Sequence, residues 1–249
     1  MHSPICKNRS DTDVAVIFIH GFMGSPNQFA DLADAVYDAG FAYSAILLPG
    51  HGGGIREFVK FGADDWQAHL QSEIEKIRRD YNKIILVGHS MGGLLALNAC
   101  LIKENNISGV VLIATPLKVY LVSPKSVSLK LHLLRLPKTD KVKSAYMKST
   151  SVKTPKPFIY PPAIKTIREF YKLMRQTKKR LAEVSVPVCM FHSRRDETTS
   201  YRSSALLRER LCNTQSTAFS LDKSWHAFYD GDDWAMVKSK LIEFIRRTV

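Results

Sequence analysis

Ile84-Ile85-Leu86-Val87-Gly88-His89-Ser90-Met91-Gly92-Gly93-Leu94-Leu95-Ala96-Leu97 joins two hydrophobic patterns through a serine. Its four leading apolar residues, mostly β-branched, predict a strand covered on both faces, because a central strand meets apolar layers above and below. After the serine the residues are small, then apolar at helical spacing, which predicts a buried helix. Gly88-x-Ser90-x-Gly92 therefore places a serine on a sharp strand-to-helix turn. Such a turn strains the serine backbone and aims its hydroxyl out of the fold. Glycine is needed two residues before and two after, since a Cβ there would collide with neighbouring backbone. A glycine-rich phosphate turn is the competing explanation. The G-x-G-x-x-G spacing is absent, however, and no lysine follows as in a phosphate-binding loop.

Further strands flank this one. Val14–Ile19 is apolar throughout and runs into the glycine loop His20-Gly21-Phe22-Met23-Gly24. Ser25 as N-cap and Pro26 at the first helical position then open a helix with Phe29, Leu32, Ala33, Val36 and Tyr37 on its apolar face. Ala42 to Leu48 is a strand, stopped by the flexible loop from Pro49 to Gly54. Asp64-Asp65-Trp66 starts a helix to about Tyr81. Gly109 to Ala114, Pro187 to His192 and, more weakly, Thr217 to Leu221 are strands, and Trp234 to Arg247 closes the chain as a helix. Strands alternating with helices predict an α/β fold with a mostly parallel central sheet and helices on both faces. Ligands of such sheets gather at the carboxyl ends of the strands. His20, Ser90 and Asp196 all fall at or just beyond such ends.

The alternation breaks between Leu117 and Val186, a gap of roughly 70 residues, far beyond an ordinary connection. Val127 to Leu136 fits either an alternating strand or a short helix. Ala163 to Leu181 fits a helix, with Ile164, Ile167, Phe170, Tyr171 and Met174 on one side and basic residues opposite. The expected organisation is a core of residues 1–116 and 187–249 with a small, mostly helical lid inserted at 117–186. The net charge of +13 belongs to this insertion: Leu117 to Glu183 carries 17 Lys and Arg against 3 Asp and Glu, leaving 19 basic and 20 acidic residues elsewhere. That face is either simply solvated or draws in anionic membrane surfaces or acidic substrates, with Phe158, Tyr160, Phe170 and Tyr171 as interfacial aromatics. No nucleic-acid reader motif accompanies the charge. No apolar run reaches membrane-spanning length, and residues 1–7 have no signal-peptide core. Cys6, Cys100, Cys189 and Cys212 lack metal-ligand spacing, so no metal is expected, and their scatter suggests a reducing, cytoplasmic setting.

The strand, Gly88-x-Ser90-x-Gly92 and helix together resemble the nucleophile elbow of the α/β-hydrolase fold. A serine needs a base within reach, and the base needs an acid to fix its tautomer. The resemblance implies the chain order serine, acid, histidine. After Ser90 come His132, within the lid, His192, at a strand end and equally a core residue, and His226, between the last strand and last helix, where the base belongs. Asp196 directly follows a strand and is the candidate acid. Glu197 points the other way, and Asp222, Asp230, Asp232 and Asp233 sit too near His226 in sequence. The backbone N–H groups of Met91 and Phe22 are the expected oxyanion hole. His20 and His51 read as loop-holding residues, and His89 as a filler beside the elbow.

The motifs His20-Gly21-Phe22-Met23-Gly24, Gly50-His51-Gly52, Gly62-Ala63-Asp64-Asp65-Trp66, Gly88-His89-Ser90-Met91-Gly92-Gly93 and Arg195-Asp196-Glu197, with the His226 segment, are similar to those of small bacterial carboxylesterases and monoacylglycerol lipases. That resemblance implies hydrolysis of short- to medium-chain acyl esters or monoacylglycerols through an acyl-serine, with no cofactor. Phe22, Met91 and Phe228 are the expected substrate-binding side chains. Trp225 stands where such proteins more often have glycine. Thioesterase, C–C bond hydrolase and peptidase chemistry use the same groups, and a non-catalytic ligand- or lipid-surface-binding protein on the same scaffold is the alternative from another class.

Overall fold

Strands that are apolar at every position need a core on each face of their sheet. The computed structural model describes residues 2–120, 124–137, 139–153 and 161–249. Strands β1 (Ile5–Lys7), β2 (Val14–Ile19), β3 (Ala42–Ile46), β4 (Lys83–His89), β5 (Ile107–Ile113), β6 (Val188–Ser193) and β7 (Ser216–Leu221) form one sheet in the order β1-β3-β2-β4-β5-β6-β7. Neighbours run parallel except β1 against β3. The helices are α1 (Ala30–Asp38), α2 (Ile55–Phe58), α3 (Ala63–Ile77), α4 (Met91–Ala99), α5 (Pro124–Arg135), α6 (Lys141–Ser149), α7 (Ala163–Arg180), α8 (Arg202–Arg210) and α9 (Gly231–Thr248).

Alternate residues of each central strand enter different cores. Ile17, Ile19, Ile84, Leu86, Val110 and Leu112 pack with Trp66, Leu70 and Ile74 of α3 and with the apolar residues of α4. Val16, Phe18, Ile85, Val87, Val111 and Ile113 pack instead with Leu32 and Val36 of α1 and Val237, Leu241, Phe244 and Ile245 of α9. From β2 the chain goes out to β3 and returns past β2 to β4. The carboxyl ends of β2 and β4 thus lie side by side where the strand order reverses, and connections leaving in opposite directions open a crevice there.

Several elements differ from expectation. β1 is three residues long, too short to carry a pattern, and α2, α6 and α8 are short or polar. The ambiguous run 127–136 falls largely in α5. Pro26–Phe29 forms a 3-10 turn before α1, with Ser25 Oγ accepting from the Asn27 N–H. Described parts of the stretch 117–186 also reach the core. Leu173 and Met174 of α7 enter the same core as α3 and α4, and Asn98 Nδ2 donates to Thr177 Oγ1 at 3.1 Å. Residues 149–153 lie between two loops of the core. The Ser151 N–H donates to Met23 O at 3.0 Å, Ser151 Oγ donates to Gly24 O, and the N–H groups of Gly52 and Ile55 donate back to Ser151 Oγ and Lys153 O. Phe158 and Tyr160 lie outside the described residues. Among those described, no helix is long and apolar enough to cross a membrane.

Candidate active site

β4 ends at His89, α4 begins at Met91, and Ser90 makes the whole turn between them. Its φ of 54° and ψ of −120° are sparsely populated for a residue with a side chain, a strain that costs about 1–3 kcal/mol. The surroundings enforce it. The Ser90 N–H donates to Ile113 O at 2.8 Å, α4 is buried along its length, and the backbone closes tightly around the turn. A Cβ on Gly92 would sit 1.9 Å from Ile19 O, and one on Gly88 would sit 2.4 Å from the Gly92 carbonyl carbon.

His226, in the loop after β7, places Nε2 3.2 Å from Ser90 Oγ. Its Nδ1 lies 2.8 Å from Asp196 Oδ2. Asp196 Oδ1 accepts from the Thr198 and Thr199 N–H groups at 2.8 and 2.6 Å. The serine, histidine and aspartate expected from the sequence are therefore joined in that order. The other carboxylates near His226 are engaged elsewhere: Asp222 with Arg194, Asp230 capping α9, and Asp233 accepting from the N–H groups of Lys223 and Ser224 and the Ser224 hydroxyl.

Glu197 has a part in the site that sequence reasoning missed. It is buried, its Oε2 accepts from the His226 N–H at 3.0 Å, and its Oε1 accepts from the Tyr146 hydroxyl of α6 at 2.6 Å. Adjacency to Asp196 was the available signal, but Tyr146 is 51 positions away. His89 is more than filler: its Nε2 donates to His226 O at 2.9 Å. His20 Nε2 accepts from the Leu48 N–H at 3.1 Å, and His51 Nδ1 lies within 3.2 Å of Leu48 O, so both hold loops as expected. His192 Nε2 donates to Thr115 O.

Electrostatics set His226 apart from these neighbours. Burial pushes the imidazoles down, His51 to about 4 and His89 to about 3, with His20 and His192 also lowered. Burial lowers His226 too, but the charge and hydrogen bond of Asp196, with the charge of Glu197, outweigh it and leave its pKa raised above 6.5. Burial pushes the Asp196 carboxyl up, yet His226 and the Thr199 and Thr198 N–H groups hold it below 3.8.

Gly21 abuts the elbow, since a Cβ there would lie 2.9 Å from Ser90 Cβ. The next residue, Phe22, packs against Phe58, Trp66 and Phe170 at ring separations of 5.0, 6.1 and 5.5 Å. The Met91 side chain is fully buried, and its backbone N–H stands at the first position of α4. Phe228 lines a cavity of about 340 Å³ beside His89 and Ala227, under α6. Among the described residues, no cluster of three or more His, Cys, Asp or Glu side chains could hold a metal ion.

A family profile described as serine aminopeptidase, S33 (Hydrolase_4) matches residues 10–232. The chain is 25% identical over 234 residues to a thermostable monoacylglycerol lipase of Bacillus sp. (strain H-257), covering 94% of this chain and 91% of that one. Its fold is similar to a structure of the metagenome-derived lipolytic enzymes LipS and LipT, with a TM-score of 0.78, 20% identity and coverage of 98% and 97%. It is also similar to the monoacylglycerol lipase of Paleococcus ferrophilus, with a TM-score of 0.71, 20% identity and coverage of 94% and 95%.

Proposed function

Because the chain belongs to the serine aminopeptidase S33 family of α/β-hydrolases, we propose that it is a serine carboxylic ester hydrolase acting through an acyl-serine. The observation that carries this reading is the continuous path from Ser90 Oγ through the His226 ring to Asp196. Ser90 attacks the ester carbonyl while His226 Nε2 takes its proton. The N–H groups of Phe22 and Met91 stabilise the oxyanion, a contribution of about 3 kcal/mol per donor. Collapse expels the alcohol, to which His226 returns the proton. Water, deprotonated by His226, then attacks the acyl-serine and releases the acid and free Ser90.

Short- to medium-chain acyl esters or monoacylglycerols are the proposed substrates, in keeping with the monoacylglycerol lipase relative. Phe22 packs toward α3 and α7, whereas Phe228 lines the cavity beside the start of α1 and Trp234 of α9. We assign the acyl chain to the Phe22 side. Helices α5 and α6 serve as the lid, and the basic 117–186 surface serves as a contact for anionic membranes. Four unpaired cysteines support a reducing, cytoplasmic setting.

The family's description favours peptidase chemistry as a second reading. An aminopeptidase holds a free α-ammonium on the acyl half of its substrate, whereas the Phe22 side, to which we assign that half, is walled by Phe58, Trp66 and Phe170. The test is hydrolysis of p-nitrophenyl esters, acetate through palmitate, and of aminoacyl p-nitroanilides, by the wild type and Ser90→Ala. Ester turnover that falls about a thousandfold or more in the variant is expected. Equal ester turnover in both proteins, or turnover of anilides alone, would overturn the reading.

A further inference from the structure

Lys141, Ser144, Ala145 and Lys148 stand at the i, i+3, i+4 and i+7 positions of α6, a spacing that puts them on one helix face. All four line the 340 Å³ cavity. This face is unlike the apolar stripe a short helix ordinarily turns inward: it sets two exposed lysines at the edge of a hollow, and neither lysine is in an ion pair among the described residues. The opposite wall is the 3-10 turn and the start of α1. It supplies Gln28, whose buried side-chain Nε2 has no partner among the described residues, and Asp31, the one carboxylate in the lining. Two ammonium groups against one carboxylate leave the cavity cationic.

Its position follows the reaction's geometry. His89 and Ala227, which line the cavity, are the residues directly before Ser90 and directly after His226. The leaving alcohol has to sit on the His226 side of Ser90, because His226 Nε2 protonates it. Phe22 and its aromatic partners lie toward the other face. We propose that this cavity receives the leaving-alcohol half of the substrate and selects one bearing a phosphate or other compact anion, held by Lys141 and Lys148. The proposal deepens the ester-hydrolase reading and rests on it for the reaction. The binding site itself can be tested apart from turnover.

The experiment has two arms. In the first, glycerol, glycerol phosphate and inorganic phosphate are titrated into the wild type and the Lys141→Gln/Lys148→Gln double variant by calorimetry. In the second, both proteins hydrolyse butyryl glycerol and butyryl glycerol phosphate, which are soluble and present no lipid surface. Glycerol phosphate is expected to bind the wild type and to bind the variant about tenfold more weakly, the size of effect that loss of charge-assisted contacts produces. The kcat/KM for the phosphate ester should fall by a similar factor while that for butyryl glycerol stays within about twofold. Binding of inorganic phosphate as tight as that of glycerol phosphate would overturn the leaving-group assignment. So would binding unaffected by the two substitutions, or equal losses on both esters. Hydrolysis of p-nitrophenyl butyrate, run alongside, reports separately on the ester-hydrolase reading.

Discussion

Two neighbouring carboxylates, Asp196 and Glu197, hold His226 from different directions. One bonds the ring and the other the backbone N–H. Both negative charges favour protonated His226. A general base must be neutral, so kcat/KM for p-nitrophenyl butyrate should fall as pH drops through a His226 pKa above 6.5. The buried neighbours His20, His51, His89 and His192 are shifted the other way and do not account for that limb. Removing the Glu197 charge makes protonation of His226 less favourable, so Glu197→Gln should move the acid limb to lower pH. A pH–rate profile checks this; an unmoved limb would mean that Glu197 acts only as a structural tie. Asp196 was legible in sequence because it directly follows a strand. Glu197 and Tyr146 were not, since their contact joins separate elements and leaves no local pattern.

Among the elements, those with full periods could be read before the structure was known. β2, β4, β5 and α9 are long enough for apolar spacing to stand out, whereas β1 and α2 are three and four residues. α7 was legible as a helix but not as part of the core. Its strong amphipathicity fits a lid lying on a surface equally well as a helix packed on α4. The two are separable by stability. Leu173→Ala should cost about 2–5 kcal/mol in urea unfolding, because the side chain is fully buried against α3 and α4. Met147→Ala on α6, where the side chain is 55% exposed, should stay within about 0.5 kcal/mol. Similar costs for both would show that α7 does not share the core.

At the scale of the molecule, charge and exposed apolar surface coincide. Tyr120, Leu131, Leu134, Met147, Ile164 and Ile167 are six of the eight large apolar side chains exposed among the described residues. All lie in or beside the stretch that carries the basic excess. Co-sedimentation with anionic vesicles should therefore be strong at low salt and weaken at about 0.5 M, where screening shortens to a few ångströms. Equal sedimentation with neutral vesicles would leave the basic surface merely solvated. The strap at 149–153 bears on a different matter, the order in which the chain is made. It fastens Gly24 to Ser151, 127 positions later. During synthesis the loop carrying Phe22 emerges early but lacks its fastening until the ribosome has passed α6. A nascent chain can thus complete β2 and β4 and form the elbow while the loop facing Ser90 still waits for a segment not yet translated.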